Sequence, residues 1–368
     1  MKKRLLIILF FLSSLNLFSQ IQKNFDYVYN YERILEDAQI AYEENDYGKA
    51  LTLAEKSKQS KKNHSEYEIS VLENSLKSSD VKKKGDSIEN ILEVLLERED
   101  YDAINIIKRN LKKYGESFFN NSKQQLLTFI KRNSVFPEAD FLIGKIYCLE
   151  GEYELSYNCL LTSYKNAEFL DIYDERYDIL YELANISKIL KKNDKYEEYL
   201  LLILTQSFEF KDNSFCASIK KTVESSKTDC MEKFFSHYRC TNYNLLNAYF
   251  DLTEYYQEQR QYEKALKTCE FGVITAYTKF VNVLKKRNPE FEISSISDVF
   301  KEVQNYSDII EWGKENNIWK GFYTLADLSY INNNLIFSMQ LFNILKDYEP
   351  EVYWKNKAEI RLSEIIPK

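Results

Sequence analysis

Apolar side chains recur along this chain at every third or fourth position rather than every second. From Tyr262 they fall at Ala265, Cys269, Gly272 and Ala276, which places them on one side of an α-helix. The spacing predicts one long helix from Tyr262 to Arg287, stopped by Asn288-Pro289. Short polar breaks recur with a tyrosine behind them: Asn45-Asp46-Tyr47, Glu99-Asp100-Tyr101, Gly151-Glu152-Tyr153, Asp194-Lys195-Tyr196 and Arg260-Gln261-Tyr262. Each break ends one helix, and the tyrosine is expected to open the next by packing back over it. Phe136-Pro137 marks a further boundary, because the residue before proline is pushed out of the helical region. Asp86 with Glu89 predicts a capping box, and a last helix is expected from Glu351 to about Ile365. Only 8 Gly and 4 Pro leave little room for hairpins or a glycine-rich nucleotide loop. The fold class is all-α.

Residues 140–163 carry the sharpest signal. Ile143, Gly144 and Tyr147 fall on a first helix, Gly151 on a turn, and Tyr153, Ser156 and Leu160 on a second. This resembles one unit of the tetratricopeptide repeat family, a helix pair of about 34 residues. A second match holds Tyr249, Leu252, Tyr256, Tyr262, Ala265 and Cys269. A third runs through Ile34, Ala38, Ala41, Ala50 and Ala54, where small residues suit helices that cross closely. Near the end, Phe322, Leu325, Ala326, Ser338, Phe342 and Pro350 keep the spacing, with Leu335 in place of the turn tyrosine. The units near Tyr101 and Tyr196 are degenerate.

The resemblance implies an α-solenoid of antiparallel helix pairs, since such a pair buries its apolar face only against its neighbours. Residues 24–210 would form an N-terminal array, 211–243 a cysteine-bearing connector or helical insertion, and 244–368 a C-terminal array closed by a capping helix. It also implies a protein or peptide partner held in a concave groove lined by the first helix of each pair. The groove positions become Glu138, Phe141, Lys145, Cys148 and Leu149 in the best unit. In the unit at Leu246 they become Asn247, Phe250, Glu254, Gln257 and Glu258, and in the last Lys320, Tyr323, Asp327, Tyr330 and Ile331. The degenerate fourth unit adds Lys188, Lys191 and Lys192.

The first 19 residues read differently. Met1-Lys2-Lys3-Arg4 is a basic start and Leu5–Leu12 an unbroken apolar run, diluted by Ser13, Ser14 and Asn16 before Ser19. That is the pattern of a cleavable signal peptide, with no cysteine near the cut for lipid attachment. The expected mature chain is periplasmic, without an integral membrane span. Loss of Lys2, Lys3 and Arg4 takes the formal charge from −7 to −10. Such an acidic chain, with no basic stripe, is unsuited to nucleic acid; the short run Lys82-Lys83-Lys84 reads as a solvated linker.

Six cysteines in an exported chain raise disulfides, whose pairing spacing alone does not give. Cys216, Cys230 and Cys240 lie where repeat spacing fails, and one pair among them is a candidate bridge, against reduced thiols packed between helices. Cys230, His237 and Cys240 match no common zinc-ligand spacing, so no metal is expected. With two histidines far apart and no nucleophile elbow, phosphate loop or metalloprotease motif, neither catalysis nor a cofactor is expected. The reading is a non-catalytic adaptor for envelope assembly, export or motility machinery. The alternatives are a self-associating structural subunit, or a glycan or small-molecule sensor using Trp312 and Trp319.

Overall fold

The computed structural model describes residues 31–77, 85–115 and 119–365. The expected signal peptide and the lysine run at 82–84 lie outside them. Among the described residues the chain is helical, with no strand beyond one bridge between Ser87 and Ser122. It divides into two compact units, one ending at Leu190 and the other starting at Lys191. The expected array over 24–210 spans that division.

In the first unit, α1 covers residues 31–43 and α2 Tyr47–Leu76, followed by α3 (Ile88–Glu97), α4 (Tyr101–Tyr114) and α5 (Lys123–Arg132). Then come α6 (Pro137–Leu149), α7 (Tyr153–Lys165) and α8 (Glu175–Ile189). Ala38 and Ala41 of α1 and Ala50 and Ala54 of α2 are fully buried, so the two backbones approach closely at that crossing. The pair α6/α7 does the same with other chemistry. A Cβ on Gly144 would stand 2.8 Å from Leu160 Cδ2. Ser156 and Ser163 of α7 donate 2.7 Å hydrogen bonds to the carbonyls of Gly144 and Pro137 in α6. Pro137 itself opens α6, where its missing N–H costs nothing.

The stacking order departs from simple succession. The first half of α2 packs directly on α6, sharing a core of Leu35, Ala50, Ala54, Phe136, Leu142, Ile143 and Ile146. Helices α4 and α5 pack instead along the second half of α2, and α3 packs on α4. Their own core joins Leu72 and Leu76 to Ile91, Leu95, Ile104, Ile107, Leu126 and Phe129. The degenerate unit near Tyr101 is therefore a lateral excursion permitted by the 30-residue length of α2. It does not stand between the pair α1/α2 and the pair α6/α7.

The second unit holds α9 (Asn193–Leu204), the short α10 (Phe208–Lys211), α11 (Asn213–Val223) and α12 (Cys230–Phe235). It continues with α13 (Leu246–Glu258), α14 (Tyr262–Arg287), α15 (Ile296–Val303) and α16 (Ser307–Glu315). The chain ends on α17 (Ile318–Ile331), α18 (Leu335–Tyr348) and α19 (Val352–Ile365). Within this unit α9 packs on α13, α14 on α17 and α18 on α19, so the second helix of one pair meets the first of the next. The cysteine-bearing segment is helical and anchored. Phe234 sits edge-on to Phe337 of α18 and Phe235 lies against Tyr277 of α14. Cys230 donates to Gln340 Oε1 at 3.3 Å.

One turn recurs in both units. Asn45, Glu99, Gly151, Arg260 and Asn333 all take positive φ. In each case that residue's N–H bonds the carbonyl three residues back, and the next N–H bonds the carbonyl five back, as in Asn45→Tyr42 and Asp46→Ala41. This is the Schellman arrangement, which satisfies carbonyls left open at a helix end. Two expectations change here. Tyr47 does lean on Tyr42, but Tyr101 is 59% exposed, and Tyr153 and Tyr262 face solvent too. The break expected at Asp194-Lys195-Tyr196 falls earlier: Lys191 has the positive φ, and Tyr196 is buried inside α9 against Tyr255. Likewise Ser87, not Asp86, caps α3 by accepting from the Asn90 N–H.

Candidate functional site

In the first unit α1, α6 and α8 bring their side chains to one face. Lys145 of α6 places its ammonium 4.8 Å from the centre of the Tyr42 ring of α1 and 5.5 Å from that of Phe141. Glu182 of α8 joins them. Burial pushes its carboxyl up, and the Lys145 charge pulls it back down. Burial likewise raises the Cys148 thiol, with Glu182 adding to it. Phe141, Lys145, Cys148 and Glu182 are half-buried, and Leu149 at the rim is 54% exposed. Lys188 lies exposed at the end of α8. The face thus combines aromatic rings, a cation and a partly desolvated carboxylate.

In the second unit the expected groove residues are engaged by their own fold. The Phe250 ring edge is wedged between two glycines: a Cβ on Gly272 would meet Phe250 Cε1 at 2.8 Å, and one on Gly321 at 2.5 Å. Glu254 is ion-paired with Lys320. These residues, with Asn247, Asn317 and Thr324, line a hollow of about 100 Å³. Tyr323 packs on Phe342 and Trp354, and Arg361 of α19 holds Asp327 at 2.9 Å while covering Tyr330 at 4.8 Å. The terminal helix thus covers Tyr323, Asp327 and Tyr330, whereas Phe250 and Glu254 border an open recess.

The six cysteines are free thiols, so the candidate bridge among Cys216, Cys230 and Cys240 is not formed. Burial drives the Cys240 thiol up to about 12, and Cys216 donates to the Phe210 carbonyl at 3.4 Å. His237 is occupied by Ser218 at 2.9 Å and the Lys233 carbonyl at 2.8 Å. Trp319 is a core residue stacked on Phe280, and Lys279 covers Trp312 at 3.9 Å.

The sequence reading missed a polar stripe on α2. The inward side of that helix runs Ala50, Ala54, Ser57, Lys61, His64, Glu68, Leu72 and Leu76, all buried. The signal was present as a helical-period face whose middle is polar while both ends are apolar.

No protein-family model matches the chain. An uncharacterized protein of Treponema pallidum (strain Nichols) is 26% identical over 334 residues, covering 90% of this chain and 89% of its own length. An uncharacterized protein of Borreliella burgdorferi is 21% identical over 249 residues, covering 60% of this chain and 76% of its own length. The first of these likenesses spans both units.

Proposed function

We propose that this chain is a non-catalytic scaffold of tetratricopeptide-like helix pairs, exported to the periplasm, which docks a peptide segment of a partner protein. The observation that carries it is the face of Tyr42, Phe141, Lys145 and Glu182, drawn from α1, α6 and α8. The pairwise packing inside each unit supports an α-solenoid, with α19 as its capping helix. The face offers aromatic surface, one cation and one anion, which fits a mixed-charge peptide with an apolar anchor. Phe250 and Tyr323 serve packing in this reading, so substituting them would test stability and not binding.

Crosslinking in the native envelope, read by mass spectrometry, compares wild type with a Phe141→Ala, Lys145→Glu double variant. A partner captured by wild type and lost from the still-folded variant is the expected result. Capture unchanged by the variant removes this face from the proposal. Self-crosslinks alone would favour a self-associating subunit, for which Val352, Tyr353 and Ile360 leave an exposed apolar face on α19.

A further inference from the structure

We propose that the polar cavity of the first unit, walled by Tyr31, Lys61, His64, Arg109 and Asn133, binds a small carboxylate that also carries hydrogen-bond donors, the chemistry of a free amino acid. The cavity encloses about 220 Å³, several times the roughly 30 Å³ of one liquid water. Helices α1, α2 and α4 and the segment after α5 build it, and it shares no lining residue with the proposed peptide-docking face.

Charge argues for a single negative group. Arg109 is ion-paired with Glu68, and Lys113 with Asp171 at 2.7 Å. Lys61 is the exception: 7% exposed, it has no carboxylate within ion-pair distance among the described residues. Its ammonium is left with the rings of Phe136 at 4.6 Å and Tyr31 at 5.8 Å. Burial pushes this ammonium down, and the pull of Glu138 does not restore it. A buried cation without an ion pair, in the polar middle of this helix face, is a misfit for packing and a fit for an anion. Glu138, Asp171 and Glu32, the last on the cavity wall, pull on this charge only from beyond ion-pair distance, so a singly charged carboxylate suits the site better than a doubly charged phosphate.

Hydrogen bonding argues for the rest of the ligand. His64 Nε2 stands 3.2 Å from Glu68 Oε1, so that nitrogen donates to the carboxylate. His64 Nδ1 makes no hydrogen bond within the protein, and neither does the buried Asn133 Oδ1, whose amide nitrogen donates to Tyr114 at 2.7 Å. Two buried polar atoms without partners, beside an ammonium with no carboxylate in ion-pair distance, fit a ligand with a carboxylate and N–H or O–H groups. The side walls of Tyr31 and Tyr114 would then face its carbon skeleton.

The chain has only two histidines, which makes the test direct. Full-length protein labelled with ¹⁵N-histidine is titrated with individual L-amino acids, with acetate and with inorganic phosphate. The expected result is a saturable shift of the His64 ring signals by at least one amino acid, with those of His237 unmoved. Acetate, lacking donors, should bind about tenfold or more weakly, and Lys61→Met should abolish the shift while the far-ultraviolet spectrum is retained. If no amino acid gives saturation at millimolar concentration, the cavity is a hydrated structural pocket and the proposal falls. Phosphate binding more tightly than every amino acid, or binding unaffected by Lys61→Met, overturns it equally. Should Lys61→Met fail to fold, the wild-type titration alone decides.

Discussion

Glu270 occupies the inward side of α14, among Thr268, Phe271 and Val273, where a charge has little solvation. Burial pushes its carboxyl up to about 8 from an ordinary 4.5, Glu224 adds to the rise, and Lys220 and Lys267 oppose it. Between those two values the folded chain keeps a proton that the unfolded chain has released. The linkage sign is then fixed: Glu270 costs nothing below about pH 4.5, and stability drains away as pH rises to about 8. Glu270→Gln mimics the protonated form and should remove that loss. We expect the variant to match wild type at pH 4.5 and to exceed it by at least about 1 kcal/mol at pH 8. Urea unfolding at the two pH values measures it, and equal differences at both would refute the assignment. Glu349, whose carboxyl burial also raises to about 8, supplies a second contribution that Glu270→Gln leaves in place. Neither group stood out in the sequence, because a lone acid on a helix looks the same whether it faces water or core.

Among the elements, the recurring turn is where local sequence and structure agree best. The polar breaks at Asn45, Glu99, Gly151 and Arg260 are the positive-φ residues, legible because a helix must stop before a new apolar period can begin. The break near Lys191 was misplaced, since Asp194-Lys195-Tyr196 copies the local pattern while Tyr196 is held inside α9 by Tyr255. Chemistry at these turns is uneven in a way that predicts stability. Gly151 takes φ 80° freely, whereas Glu99 and Arg260 hold 56° with a Cβ in place. Replacing Arg260 by Gly should stabilise the chain by about 0.5–1 kcal/mol, and Gly151→Ala should cost about 1 kcal/mol. Thermal melts of the two variants in one buffer test this; a loss from Arg260→Gly would mean that its side chain does more than tolerate the turn. What the sequence did not disclose is which pairs neighbour each other. Helix pairs look alike locally, and only the length of α2 lets α3–α5 swing aside so that α6 can meet the Ala50–Ala54 surface.

At the scale of the whole molecule, the pattern of buried and exposed positions separates what the chain advertises from what it hides. The proposed docking face was partly legible, because Phe141 and Lys145 stand at expected groove positions and remain half-open, while Tyr323, Asp327 and Tyr330 were claimed by α19. The polar cavity was hidden, since its walls come from helices distant in sequence. The thiols report on all of this at once. Cys230, Cys240 and Cys269 are buried in the second unit, and Cys148, Cys159 and Cys216 are half-buried across both. A thiol reagent attacks the thiolate, and burial raises all six thiols, which slows the buried set twice over. The full-length chain prepared without reductant should therefore give six thiols by colorimetric titration after denaturation. In the native state Cys148, Cys159 and Cys216 should label first, and Cys230, Cys240 and Cys269 only as the second unit unfolds. A count of four after denaturation would mean that one bridge forms. Were it to involve Cys230, the 3.3 Å bond to Gln340 would have to break, and with it part of the hold of α12 on α18.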